Sequence, residues 1–185
     1  MADNLQDIKN YISERNSENS CWNIRGIIRM KDRYKQYVKP DEDIFNMFID
    51  SASDLTYDKF KPYIDEYKDI RIYFNPNPVK KSRISEKLIN GSIKKLSQFE
   101  DYISYFPKII LDIDSNDSDF TENIRSAAKE YTDILLDIPT VYGRHLVTEY
   151  PRKQIDYYNF KFKMESFKKV TFKYNYNLTL LCTKI

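Results

Sequence analysis

The chain has 185 residues, 41% of them hydrophobic and 31% charged, and its 30 Lys and Arg nearly balance 28 Asp and Glu. A chain of this length buries roughly 70% of its extended surface, enough for one core without disulfide or metal staples, and it is short for two full domains. Only 3 Gly and 7 Pro exclude collagen-like and linker-like sequences, and a net charge of +2 argues against indiscriminate nucleic-acid binding, which runs on phosphate neutralisation.

In chain order, Leu5, Ile8 and Ile12 recur at helical spacing, so residues 4–15 read as a short amphipathic helix ended by the polar run NSENS. Trp22, Ile24, Ile27, Ile28 and Met30 predict a strand, bulged at Gly26. Pro40 and the acidic DED mark a turn, and Ile44 to Ile49 is a β-rich run. Asp54 or Thr56 then caps a predicted helix with Leu55, Phe60, Ile64 and Tyr67 on one face. Ile70, Ile72 and Phe74 alternate with Arg71 and Tyr73 as in a half-buried strand, which NPNP stops because proline cannot donate to a ladder.

Helical spacing returns in Ile84, Leu88, Ile89, Ile93 and Leu96, placing a helix over 85–96. Residues 108–113 form a short apolar strand of the kind buried on both faces. A Ser, Asn and Asp loop leads into a predicted helix running through Ile124, Ala127, Ala128, Tyr131, Ile134 and Leu135. Short strands follow at 140–142 and 146–148, broken by Gly143, then an aromatic helix at 155–167 and strands at 170–172 and 178–182. Irregular alternation with a strand-rich last third predicts a single α+β domain, its helices covering one face of a mainly antiparallel sheet.

Cys21 and Cys182 have no metal-site spacing and read as reduced core thiols, with a pairing between them left open. The N-terminus is acidic and polar, with no basic segment leading into an apolar one, and no window approaches 18 apolar residues. The expectation is a cytoplasmic protein that does not enter a membrane. Residues 152–185 are basic and interleaved with Tyr and Phe, a pattern that suits a nucleic-acid backbone with stacked bases or the solvated face of lysine-rich strands.

The sharpest local feature is the run Ile109, Ile110, Leu111, Asp112, Ile113, Asp114. Period-two geometry puts Asp112 and Asp114 on one face of a strand end, where two hard carboxylates can share Mg²⁺ or Mn²⁺. The alternative is a strand running into a polar turn, since SNDSD is good loop sequence. Downstream, the only histidine sits in Val141, Tyr142, Gly143, Arg144, His145, Leu146. Glycine lets a phosphate approach the backbone, arginine offers a planar donor fork and histidine a single donor; a histidine packed in a sheet is the competing reading.

A hydrophobic strand ending in Asp-x-Asp, a helix, and a strand pair carrying Gly143, Arg144 and His145 resembles the core of archaeo-eukaryotic primases and the primase-polymerase proteins of phages and mobile elements. The resemblance extends loosely over residues 70–182, with 1–69 as an N-terminal helix and strand portion of the same domain. It implies an RRM-like antiparallel sheet, a divalent ion on Asp112 and Asp114, and His145 as the nucleotide-contacting residue; beside these, Gly143, Arg144 and His145 are the candidate phosphate-binding positions, with Lys153 or Lys173 assisting. The implied partner is a nucleotide or nucleic acid and the implied reaction is nucleotidyl transfer.

Departures from the family pattern accompany it. Gly143 replaces a small polar residue, and Thr171, after Val170, stands where the third acid belongs. Asp117, Asp119, Asp156 and Glu165 are the remaining acids near the motifs or in the tail. Without a third carboxylate, a two-metal polymerase loses most of its hydroxyl activation, so the resemblance implies weak or absent synthesis. A non-enzymatic alternative is a phage interaction protein, such as an inhibitor of a host defence or replication protein, anchored by Tyr157, Tyr158, Phe160, Phe162, Tyr174 and Tyr176. A virion component is a third class on which the sequence is silent.

Overall fold

A computed structural model describes residues 4–29, 42–84, 107–174 and 179–183. It is a mixed α/β structure built on two antiparallel sheets rather than the one expected. The first sheet runs in the order β2 (Glu42–Ile49), β1 (Ser20–Ile28), β3 (Ile70–Phe74), β9 (Thr179–Thr183), with the short β4 (Val79–Lys80) pairing the start of β1. The second runs β6 (Ile134–Pro139), β7 (Arg144–Thr148), β5 (Ile109–Ile113), β8 (Val170–Lys173).

β1 takes the centre of the first sheet because it is buried along almost its whole length, as its apolar composition demands. The expected irregularity at Gly26 is present as a register shift between Gly26 and Ile27 against β2. A side chain at Gly26 would collide with the Phe45 ring, its Cβ lying 2.3 Å from the nearest ring carbon. The helix α1 (Leu5–Arg15) buries Ile8, Tyr11 and Ile12 at helical spacing and is anchored at its entry by the Asn4 N–H, which donates to the Leu181 carbonyl at 3.0 Å.

The two sheets share one core. Trp22, Ile24, Ile72 and Phe74 of the first join Ile110, Leu136, Ile138 and Val147 of the second, closed by Ile8, Tyr11 and Ile12 of α1. At its centre, Trp22 and Phe74 stack at 5.6 Å while Tyr11 meets both edge-on, at 5.8 and 5.9 Å. The Tyr11 hydroxyl donates to the Pro76 carbonyl at 2.9 Å, which satisfies the polar end of a buried ring; burial pushes its pKa well above the usual phenol value.

The opposite face of the second sheet carries α3 (Ser118–Lys129) and α4 (Gln154–Glu165), packed through Ile124, Ala128, Phe160 and Met164 onto Ile109, Leu111, Ile113, Leu146 and Val170. A six-residue helix, α2 (Lys61–Glu66), lies between β2 and β3. The expected helix over Leu55 to Tyr67 is instead two 3₁₀ turns, Ala52–Asp54 and Tyr57–Lys59, followed by α2. Pro62 is the cause: it has no N–H to continue a helix begun at Thr56, so it is tolerated only in a new first turn. Asp54 does not open a helix either; it closes a reciprocal pair of hydrogen bonds with Ser51.

The other large difference is β6. Ile134 and Leu135, expected at the end of a helix, begin a strand, and 140–142, expected as a strand, is the turn joining β6 to β7. The helix ends at Lys129, so the apolar residues beyond it fall on a second element whose short run carries both periods ambiguously. The helix expected over 85–96 lies outside the described residues. Among the described residues, no helix is long and apolar enough to cross a membrane.

Phe74 tests the shared core. Phe74→Ala removes a fully buried ring touching both Trp22 and Tyr11 and is expected to cost about 3–5 kcal/mol of unfolding free energy. Urea denaturation checks this as a lowered midpoint with an unchanged slope.

Candidate functional site on the central strands of the second sheet

Strand alternation sorts β5 into two chemistries. Ile109, Leu111 and Ile113 point toward the helices, whereas Ile110 and Asp112 point to the face that meets the first sheet. On β7, Leu146 faces the helices and Val147 the other sheet, so His145 shares the face of Asp112. The register places Asp112 directly opposite His145 on one side and Thr171 of β8 on the other.

His145 is nearly inaccessible at 6% exposure, and its Nε2 lies 3.1 Å from Asp112 Oδ1. Lys173 Nζ donates to Asp112 Oδ2 at 2.5 Å. Asp112 keeps 22% of its side chain exposed and Lys173 37%, so the cluster opens to solvent on the Lys173 side. Burial disfavours the Asp112 carboxylate, but the hydrogen bond and charge of His145 and the ammonium of Lys173 outweigh it and hold the carboxyl well below the usual carboxylate range.

Asp114 lies one residue beyond β5, exposed, with its N–H donating to the Lys169 carbonyl at 2.9 Å. The two aspartates therefore leave the strand together in sequence, but only Asp112 enters the cluster. Thr171 is exposed beside Asp112. The remaining acids near the motifs and in the tail serve elsewhere: Asp117 caps α3 by accepting from the Phe120 N–H at 2.9 Å, and Asp156 and Glu165 lie on α4, behind the sheet. Asp119 lies in the first turn of α3 and lines a groove on that same helical side.

Gly143 and Arg144 are placed differently from His145. The space a Gly143 side chain would occupy is filled by this chain's own backbone, since its Cβ would lie 1.8 Å from the Ile113 carbonyl oxygen and 2.7 Å from the Ser115 nitrogen. Arg144 points to the helical face, where its Nε donates to Asp137 Oδ1 at 2.5 Å and Arg125 of α3 pairs with the same carboxylate. Arg125 and Arg144 border a groove of about 430 Å³ with Ser118 and Asp119. Lys153 is exposed at the entrance to α4, behind the sheet from Asp112. Of the expected site, then, Asp112, His145, Lys173 and Thr171 come together, and Arg144, Lys153 and Asp114 stand apart.

The Asp137 hub escaped the sequence reading. Its signal is an acid alternating with Leu136 and Ile138, visible once residues 134–139 are seen as a strand. The aromatic cluster of α4 splits: Phe160 is buried, Tyr157 stacks on Tyr150 at 5.1 Å, and Tyr158 and Phe162 are exposed. Tyr174 packs 5.4 Å from Tyr157, and Tyr176 lies outside the described residues. Cys21 is a buried free thiol, its pKa pushed up to about 11 chiefly by burial.

The donor set does not fit a resident Mg²⁺ or Mn²⁺. Both Asp112 oxygens are engaged by nitrogen donors, Asp114 is outside the cluster, and among the described residues no group of three or more His, Cys, Asp or Glu is placed to hold a metal ion. Mg²⁺ keeps several waters and takes one or two carboxylates from a protein, and the one carboxylate in this cluster is held by two nitrogen donors. Comparison with protein-family models, curated proteins and solved structures finds no match for this chain.

Two outcomes follow from this geometry. Gly143→Ala forces a methyl against backbone atoms that cannot rotate away and is expected to destabilise by about 3 kcal/mol or more, at or above the upper range for overpacking, as read by urea midpoint. Because the folded pKa of Asp112 is depressed, its contribution is present above the unfolded value near ~3.9 and is lost as pH falls below it. The denaturation midpoint of the parent should drop more steeply between pH 5 and pH 2 than that of Asp112→Asn; equal slopes would contradict the assignment.

Proposed function

We propose that this chain is a primase-like protein that takes the phosphates of a nucleotide or a nucleic-acid end at the Asp112, His145 and Lys173 corner, with polymerising chemistry weak or absent. The observation that carries this reading is the Asp112 and His145 pairing on adjacent central strands, 3.1 Å apart, on the sheet face away from the helices. Asp112 and His145, one residue from each of two short motifs far apart in sequence, thereby lie side by side, which supports the reading.

The chain path supports the same reading. From β5 through α3, β6, β7 and α4 to β8 the elements follow a β-α-β-β-α-β order with sheet order β6, β7, β5, β8, which matches an RRM-like plan with both helices on one face. Thr171, directly opposite Asp112, occupies the place where a third motif acid would stand, and a hydroxyl there supplies no charge for a second ion. In-line attack by a 3′-hydroxyl is then poorly activated while phosphate contact persists.

A second reading, recognition of a partner protein, is favoured by Ile155, Tyr158 and Phe162, exposed at 62%, 57% and 79% on one stripe of α4 opposite its buried Phe160 and Met164. Arg152, Lys153, Lys161, Lys163, Lys168 and Lys169 against Asp156 and Glu165 suit an acidic partner and disfavour pairing of α4 with a second copy of itself.

Millimolar ATP decides between them. Under the nucleotide reading it should raise the melting temperature by about 5–10 °C when present at a hundred times its Kd, and His145→Ala with Asp112→Ala should lose the shift. Template-directed primer extension by the parent with Mn²⁺ should yield no product above background. No thermal shift at millimolar ATP would leave the partner-protein reading.

A further inference from the structure

A divalent ion beside an Asp-x-Asp strand serves a triphosphate by placing positive charge between carboxylate and phosphate oxygens. Here a protein cation stands in that place. Lys173 and Thr171 share the face of β8 that borders Asp112, Thr171 directly opposite and Lys173 one pair along, opposite Ile110. From there the Lys173 ammonium reaches Asp112 Oδ2 at 2.5 Å while His145 holds Oδ1 at 3.1 Å.

An ammonium has three N–H donors, and the bond to Asp112 uses one. With 37% of the Lys173 side chain exposed, the remaining donors can meet ligand oxygens from the open side. Lysine acts on phosphate as a point charge, so it needs no fixed fork geometry to do so. The Thr171 hydroxyl beside it adds a neutral donor where an acid would instead draw a metal ion.

We propose that Lys173 is a tethered replacement for the divalent cation, so that this corner takes the phosphates of a nucleotide free of metal. The inference rests on the nucleotide-binding reading above and adds its cation requirement. A free triphosphate carries more negative charge than its Mg²⁺ complex, so a site whose cation is a side chain prefers the free form.

The test measures ATP binding by thermal shift and by titration, in EDTA and in excess Mg²⁺, for the parent, Lys173→Gln, Lys173→Arg and the double variant Thr171→Asp with Lys173→Gln. The parent should bind ATP at least as well in EDTA as in Mg²⁺, and Mn²⁺ alone should not raise its melting temperature. Lys173→Gln should weaken binding in EDTA by about tenfold or more, the loss of one charge-assisted hydrogen bond, and Lys173→Arg should keep most of it. The double variant should gain a melting shift from Mn²⁺ alone.

A parent that binds ATP only with Mg²⁺ or Mn²⁺ overturns the proposal and leaves the nucleotide-binding reading standing. Undiminished binding in EDTA by Lys173→Gln overturns it in the same way. No binding under any condition overturns both. If Lys173→Gln does not fold, the EDTA and Mg²⁺ comparison on the parent and on Lys173→Arg still decides.

Discussion

The second sheet hangs on one close approach, that of the Gly143 backbone to the Ile113 carbonyl and the Ser115 nitrogen at the exit of β5. Only a residue without Cβ fits there, so the turn between β6 and β7 is held against β5 at a single position. The Thr140 N–H closes that turn by donating to the Gly143 carbonyl at 2.8 Å. With the turn fixed, β7 has one register against β5, and Asp112 falls opposite His145. A slip of one residue would exchange the faces of His145 and Arg144, putting a guanidinium into the inter-sheet core and stranding Asp137. The glycine read from sequence as an opening for phosphate is thus the residue that sets the register of the site.

Around that register the sheet keeps its charges in two separate hubs. On the helical face Asp137, 23% exposed, is bracketed by Arg125 and Arg144; on the other face Asp112, 22% exposed, is bracketed by His145 and Lys173. Each acid sits on a central or adjoining strand, partly withdrawn from water, and a carboxylate there is strongly destabilising once a partner is removed. The arginine expected to grip phosphate is therefore committed to Asp137. What remains open to a ligand is the lysine of the other hub, whose side chain is the more exposed of the two that hold Asp112.

How much of this was legible in the sequence depended on whether one strand or helix decided it. β3 and β5 were legible because their apolar residues are bounded by proline or by a polar loop, and α1 because its period is undisturbed. α4 was legible as a helix, but not which of its aromatics face outward, because Ile155, Tyr158 and Phe162 make its two sides nearly equal in apolarity. β6 was missed because Ile134 and Leu135 extend the helical period of α3 past its end. The division into two sheets was not legible at all. It depends on which face of β5 and β7 meets Trp22 and Phe74, a tertiary choice that no local window contains.

The electrostatic partner of Asp112 was settled by apolar residues. On β8, Val170 and Phe172 pack with Ile109, Leu111 and Phe160 on the helical face. Parity then sends Thr171 and Lys173 to the side of Asp112. The opposite parity would bury the Lys173 ammonium among those aliphatic groups and leave Phe172 beside a carboxylate, each an uncompensated cost that hydrophobic packing alone avoids. A two-residue acidic motif names a chemistry only up to its counter-charge. Here that counter-charge was chosen by Val170 and Phe172, whose side chains lie on the opposite face of the sheet from Asp112 and carry no charge themselves.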